Sequence, residues 1–190
     1  MSAIKYKNDD YSEQKLIGQE FSDCEFENCN FSYSDLTDCR LENIIFTQCN
    51  FSGTIITCAK LQGISFKNCK FVSVDFHGIR TALGPLEWQF NGCLMNGCNF
   101  SDLKLSKTPF ISCQLENCIF NNANLEAADF SQSDLTNTLF HQCNLQKADF
   151  SKTRNYTIDF QNNKLAKAKF SLPEAVSLLK YLDIKLIDQS

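Results

Sequence analysis

The chain of 190 residues has no surplus of basic residues, no long apolar run and no glycine-rich phosphate signature, and each absence narrows what it can do. Lys and Arg number 18 against 22 Asp and Glu, a formal charge of −4 with a pI near 5.2. General contact with a phosphate backbone needs a basic surface, so direct nucleic-acid binding is not expected. No apolar run approaches the ~18 residues of a membrane-spanning helix, and Met1 to Lys15 is polar, unlike a secretory signal. A soluble cytoplasmic protein without a membrane partner is expected. Neither G-x-x-x-x-G-K-[ST] nor G-x-G-x-x-G occurs. His77 and His141 lack a nucleophile or carboxylate at a spacing that specifies a site, so no catalytic residue, no metal and no cofactor are expected.

What the chain does have is 17 Phe and 11 Cys, and this composition calls for a repeat search. From Leu16 through Phe21, Phe26 and Phe31 to Phe76, a large apolar residue recurs at every fifth position. A second row at the same interval runs from Phe90 through Met95 and Phe100 to Phe170, with Asn155 its only polar member. All 17 Phe lie on these rows.

A period of five matches neither the 3.6 of a helix nor the 2 of a flat strand. It fits a solenoid in which each five-residue unit is one side of a square coil and residues twenty apart stack at the ~4.8 Å strand spacing. The expected fold is all-β, a right-handed quadrilateral β-helix. Its thirty units make about seven to eight coils and a rod roughly 35 Å tall. The position two before each centre also faces the narrow lumen and must be small. It reads Cys24, Cys29, Ser34, Cys39, Ala59, Cys93, Ala123 and Ala148, among others. In the second row Phe alternates with Leu, so Phe faces Phe across the lumen and Leu faces Leu.

Ten of the eleven cysteines occupy the small inward position, Cys58 being the exception. Five-residue spacing sets successive thiols on different walls, unlike the C-x2-C pairs of zinc sites. They read as small apolar core residues.

The repeat defines segments: an N-terminal cap over 1–15, a first run over 16–76, an irregular junction over 77–89, a second run over 90–170 and a C-terminal cap over 171–190. Between Phe76 and Phe90 the interval is fourteen rather than fifteen, and the junction holds Arg80, Gly84, Pro85 and the single Trp, Trp88. Two readings are open there: a coil defect with Trp88 plugging the core, or a partner-binding loop that uses Arg80 and Trp88.

Ser171-Leu-Pro-Glu174 has the capping-box pattern, with the Ser171 hydroxyl placed to accept the Glu174 N–H, and a short helix is expected to follow. Ala175, Val176, Leu179 and Leu182 share one face of it, and Ile184, Leu186 and Ile187 follow. An open solenoid end needs a cap. The apolar residues exceed one capping face, so Val176, Leu179, Leu182, Ile184 and Leu186 are assigned to a homodimer joined end to end.

Charge is polarised along the chain. Residues 9–42 carry ten acids, namely Asp23, Glu25, Glu27, Asp35, Asp38 and Glu42 with Asp9, Asp10, Glu13 and Glu20, against Lys15 and Arg40, a net −8. The remainder is net +4. Such a field suits a basic DNA-binding saddle on a partner; a solvated surface is the alternative reading of the same charges. Ile119 and Leu139, one before their centres and twenty apart, stack on one outer face as a candidate partner contact.

The units Cys-Asn-Phe-Ser-Gly, Ala-Asn-Leu-Glu-Ala and Ala-Asp-Phe-Ser-Gln resemble those of the pentapeptide-repeat family, over residues 14–171. The C-terminal stretches Arg154-Asn-Tyr-Thr-Ile-Asp-Phe160 and Phe170-Ser-Leu-Pro-Glu-Ala-Val are similar to the corresponding end of AlbG-type albicidin-resistance proteins and, more loosely, of McbG and the Qnr quinolone-resistance proteins. That resemblance implies a dimeric rod with the size, shape and charge of B-form DNA. It also implies binding to DNA gyrase or topoisomerase IV and protection of that enzyme from a poison. The first run lacks the long loop insertion of many Qnr proteins, which favours a peptide-type poison over a quinolone. Fold alone does not supply function, and a scaffold or regulatory interaction protein is the alternative.

Overall fold

The computed structural model describes residues 4–80, 86–182, 184, 185 and 187. Within each five-residue unit three residues form one wall of the coil. The central side chain points in and its neighbours point out, as alternation along a strand requires; Leu41 is buried between exposed Arg40 and half-buried Glu42. The residue two after each centre turns the corner in the left-handed conformation, as at Asn28, Asp38 and Asn43 with φ of 55°, 58° and 53°. Asn and Asp tolerate that region better than most residues. Gly53 is required for a second reason as well, since a Cβ there would lie 2.6 Å from the Tyr33 ring of the coil before.

The Asn or Asp that precedes many centres is explained by its hydrogen bonds. Asn30, Asn99 and Asp134 each accept the backbone N–H two residues on, from Ser32, Ser101 and Thr136 at 3.1 Å. Such Asx turns satisfy a donor that the short wall leaves over. Asn side chains also bridge coils, as Asn144 does by donating to Asn124 at 3.1 Å.

Four walls, A to D, follow in order around each coil, and their strands pair in parallel with the coil above and below. On wall A, Tyr6, Phe26, Phe46 and Phe66 align at intervals of twenty residues. Wall B carries Phe71, Met95 and Leu115; wall C carries Phe120 and Phe140; wall D carries Phe21, Leu41 and Leu61. Wall A runs on through Phe90, Phe110, Phe130, Phe150 and Phe170, so eight coils lie between Tyr6 and Phe170. The expected all-β solenoid is therefore found, and it starts half a coil earlier than the row of Leu and Phe that begins at Leu16. Ile4–Lys7 pairs with Cys24–Glu27, and Tyr6 and Tyr11 stack on Phe26 and Phe31 at 4.6 and 4.8 Å. Tyrosine suits that end because its hydroxyl reaches water from a half-buried ring.

At the junction the register lengthens once. Phe66 pairs with Phe90 and Phe71 with Met95, twenty-four residues apart. Arg80 still donates to Ala59 O at 2.9 Å, in ordinary register, whereas Gly63 donates to Leu86 O, so the four extra residues enter between Arg80 and Leu86. Trp88 takes the inward position two before Phe90. It is 1% exposed, its Nε1 donates to Leu61 O at 3.0 Å, and its ring meets Phe76 edge-on at 5.5 Å. It plugs the core and offers no surface to a partner, which corrects its assignment as a contact residue.

Two further corrections concern the C-terminal end. Asn155 is not an inward centre: at φ 58° it turns the chain early, Tyr156 and Ile158 fill the lumen, and Phe160 is expelled to 38% exposure. The capping box does not form either. A 3-10 helix spans Glu174–Tyr181 with no side-chain cap. The Ser171 hydroxyl instead accepts the Lys152 N–H at 3.0 Å, and the Ser171 carbonyl accepts from Ala175. Leu178 packs on the core and closes the lumen beyond Phe170.

Candidate functional site

The acidic residues are set around the N-terminal coils. Glu25 and Glu27 flank Phe26 on wall A, Asp35 precedes Leu36 on wall C, Glu42 follows Leu41 on wall D, and Asp23 and Asp38 sit at corners. They form a ring of charge at one end, not a stripe along one side. Stacking supplies several with cations. Lys5 and Lys7 of the first coil lie 2.8 Å from Glu25 and Glu27, and Arg40 lies 3.8 Å from Glu42. Arg80 reaches down two coils to Asp38 at 2.8 Å.

Asp35 accepts the Thr37 N–H at 3.0 Å, and the Thr37 hydroxyl and N–H hold its carboxyl below the usual range. Asp23 accepts from the Asn43 side chain at 3.1 Å. With Lys5 and Lys7 included, residues 4–42 carry −6. The pairs are exposed, so the ring stays negative while each ion pair adds little stability. Lys5 and Lys7 were legible as partners only once Tyr6 was placed on wall A, because the register of twenty then sets 5 over 25 and 7 over 27.

His77 gains a neighbour that its sequence spacing hides. Its Nδ1 lies 3.3 Å from Asp102 Oδ2 and 3.2 Å from Ser101 O, because the lengthened coil sets 77 beside 101. Both side chains are about half exposed, at 51% and 53%, so this is a surface pair.

Exposed apolar residues gather on wall C. Ile119 and Leu139 are paired across adjacent coils and are 38% and 49% exposed. Ile17 and Ile55 are exposed on the same wall nearer the N-terminal end. At the other end Leu172, Val176, Leu182, Ile184 and Ile187 are exposed around the terminal helix, Leu179 is half-buried, and Leu186 lies outside the described residues. Ten of the eleven cysteines are buried and Cys58 is half-buried, as its place at a corner dictates. Among the described residues no helix is long and apolar enough to cross a membrane.

Comparison with known proteins agrees with this architecture. A family model described as a pentapeptide repeat region matches residues 19–83, and one described as pentapeptide repeats matches residues 89–122 and 123–154. No curated protein matches the sequence. Among solved structures, the chain is similar to a trypsin-treated variant of QnrB1, a plasmid-mediated fluoroquinolone resistance protein. The TM-score is 0.50 at 18% identity, covering 98% of this chain and 100% of that one. It is also similar to HetL, a protein involved in heterocyst differentiation regulation in the cyanobacterium Nostoc, with a TM-score of 0.55 at 17% identity, covering 87% and 84%. At such identities the likeness is one of fold.

Proposed function

Since this chain belongs to the pentapeptide-repeat family, we propose that it is a DNA-mimicking protein that binds a type II topoisomerase, DNA gyrase or topoisomerase IV, and protects it from a poison. The observation that carries the reading is the acidic ring on one end of a rod whose other end is apolar. Two copies joined through Val176, Leu179, Leu182, Ile184 and Leu186 present an acidic tip on each side, matching the two-fold symmetry of a topoisomerase saddle. Ile119 and Leu139 add apolar contact on wall C. The protein acts in the cytoplasm by occupying the DNA gate and promoting poison release or religation, without catalysis of its own, and so confers resistance or self-immunity. The C-terminal resemblance to the AlbG type points to a peptide-type poison.

The likeness to HetL favours a second reading, a regulatory scaffold without a topoisomerase partner. A gyrase supercoiling titration with and without an albicidin-type poison and, separately, a quinolone decides between them. Restored supercoiling establishes protection, and the responding drug sets the specificity. No rescue, together with no inhibition of gyrase at high protein, would leave the scaffold. Removal of residues 172–190 is expected to halve the mass seen by light scattering; an unchanged mass overturns the end-to-end dimer.

A further inference from the structure

On wall B the small inward position is Cys in five successive coils: Cys29, Cys49, Cys69, Cys93 and Cys113, followed by Ser133 and Thr153. The pairing of Asn30 with Asn50, Asn50 with Lys70, Lys70 with Leu94 and Leu94 with Gln114 sets each of these thiols directly over the last. All five are 2% exposed or less. Each of the five thiols donates to a backbone carbonyl, as Cys69 does to Phe46 O at 3.5 Å and Cys93 to Phe66 O at 3.4 Å. Cys98 and Cys118 make a shorter ladder on wall C, where Asn99 pairs with Ile119.

Packing does not demand sulfur at this position. Ala59, Ala123 and Ala148 fill it elsewhere. Where Cys49 donates to the carbonyl of Phe26 at 3.5 Å, Thr138 and Thr153 donate to the equivalent carbonyls of Leu115 and Phe130 at 2.7 Å. A hydroxyl does the structural work equally well. What a thiol adds is affinity for soft metal ions.

Among the described residues no three or more His, Cys, Asp or Glu side chains converge to hold a metal, so a tetrahedral zinc site is not available here. A straight ladder offers something different. Equivalent atoms on neighbouring parallel strands repeat at about 4.8 Å. Two metal–sulfur bonds of about 2.3 Å, laid end to end, span nearly that distance. We propose that the wall-B cysteine ladder binds soft, two-coordinate monovalent metal ions of the Cu(I) type, one between each pair of stacked sulfurs.

Each ion takes the place of one thiol proton. One proton leaves for each positive charge that enters, so the apolar lumen acquires no net charge, which burial would penalise. The four gaps of the column accept four ions, release four protons and leave one sulfur as a thiol. One coil below Cys29, at the open N-terminal end, the column continues as exposed Asp9, a carboxylate placed to gather cations at its mouth.

The test uses Ag(I) as an air-stable probe on the reduced full-length protein. Stoichiometry is read by native mass spectrometry, proton release by pH-stat, and the fold by circular dichroism. Five ions per chain are expected, four in the column and one between Cys98 and Cys118, with one proton released per ion and the strand signal retained. Cys69→Ser is expected to lower the count by two. Ser133→Cys, which lengthens the ladder, is expected to raise it by one, and it keeps the test decisive should Cys69→Ser fold poorly. A count unmoved by Ser133→Cys, binding confined to Cys58 and lost in Cys58→Ser, or uptake only with loss of the fold overturns the proposal.

Discussion

Below Phe76 the aromatic rings stack on two adjacent walls, Phe26, Phe46 and Phe66 on A beside Phe31, Phe51 and Phe71 on B, and apart from Phe21 leave Leu and Ile to walls C and D. Above it they stack on opposite walls, Phe90 to Phe150 on A facing Phe100, Phe120 and Phe140 on C. Facing rings meet edge to face, as Phe110 and Phe120 do at 88°, while rings along a wall lie nearly parallel. Both geometries are favourable for aromatic pairs. The adjacent arrangement gathers the smaller side chains into one corner, and an apolar void of about 20 Å³ lies in this half of the lumen, lined from all four walls by Leu36, Leu41, Phe46, Phe51, Ile56 and Leu61 among others. One repeat therefore admits two ways of filling a square lumen, and the position of the bulk decides how evenly it fills.

The largest effect is expected from removing a ring of the facing pair. Phe120→Ala should cost about 3 to 5 kcal/mol in urea unfolding, since a coil locked between two neighbours cannot collapse onto the gap. A loss below 1 kcal/mol (roughly one buried methylene) would mean that the upper rings are not what holds the coils together. Enlarging an aliphatic centre should then separate the halves. Leu125→Phe, in the upper half, is expected to destabilise by about 1 to 3 kcal/mol, whereas Leu41→Phe, beside the void, should cost less than about 1.5 kcal/mol. Equal costs would erase the distinction. The smallest effect belongs to the surface tie between coils: Arg80→Ala should change stability by about 0.2 to 1 kcal/mol and the change should fade in high salt.

The rows of Phe and Leu and the inward cysteines were legible because the lumen admits one large and one small side chain per wall, and that constraint writes itself into every fifth residue. It failed where something competed. Tyr6 and Tyr11 carry a hydroxyl that is unwelcome in a closed lumen but suits an open end, so the first coil looked like a cap. Trp88 breaks the rule of a small inward residue on wall A, where Ile44 and Ile64 already do so in the two coils below. Phe160 kept the spacing of an inward residue, yet Asn155 took the left-handed corner early and turned it out. The Ser171 hydroxyl matched a capping pattern, but the Lys152 N–H of the coil below claimed it. For the candidate site, the acids and the Ile119–Leu139 pair were visible. Their counter-ions were not, because partners twenty or forty-two residues apart meet only once the first coil and the register are known.

The corner after every wall carries a consequence for how such a rod can change length. Each unit of five residues advances the chain by a quarter turn. Inserting or deleting twenty residues therefore leaves every later side chain pointing in its former compass direction, while a change of five keeps the core rows intact and swings the whole exterior beyond it through ninety degrees. The second aromatic stack leaves wall B at Phe71 and resumes on wall C at Phe76 while wall A runs on from Phe66 to Phe90, so that change is one of side-chain placement without rotation of the walls. The interior is indifferent to rotation, and the outward face presented to a partner is not.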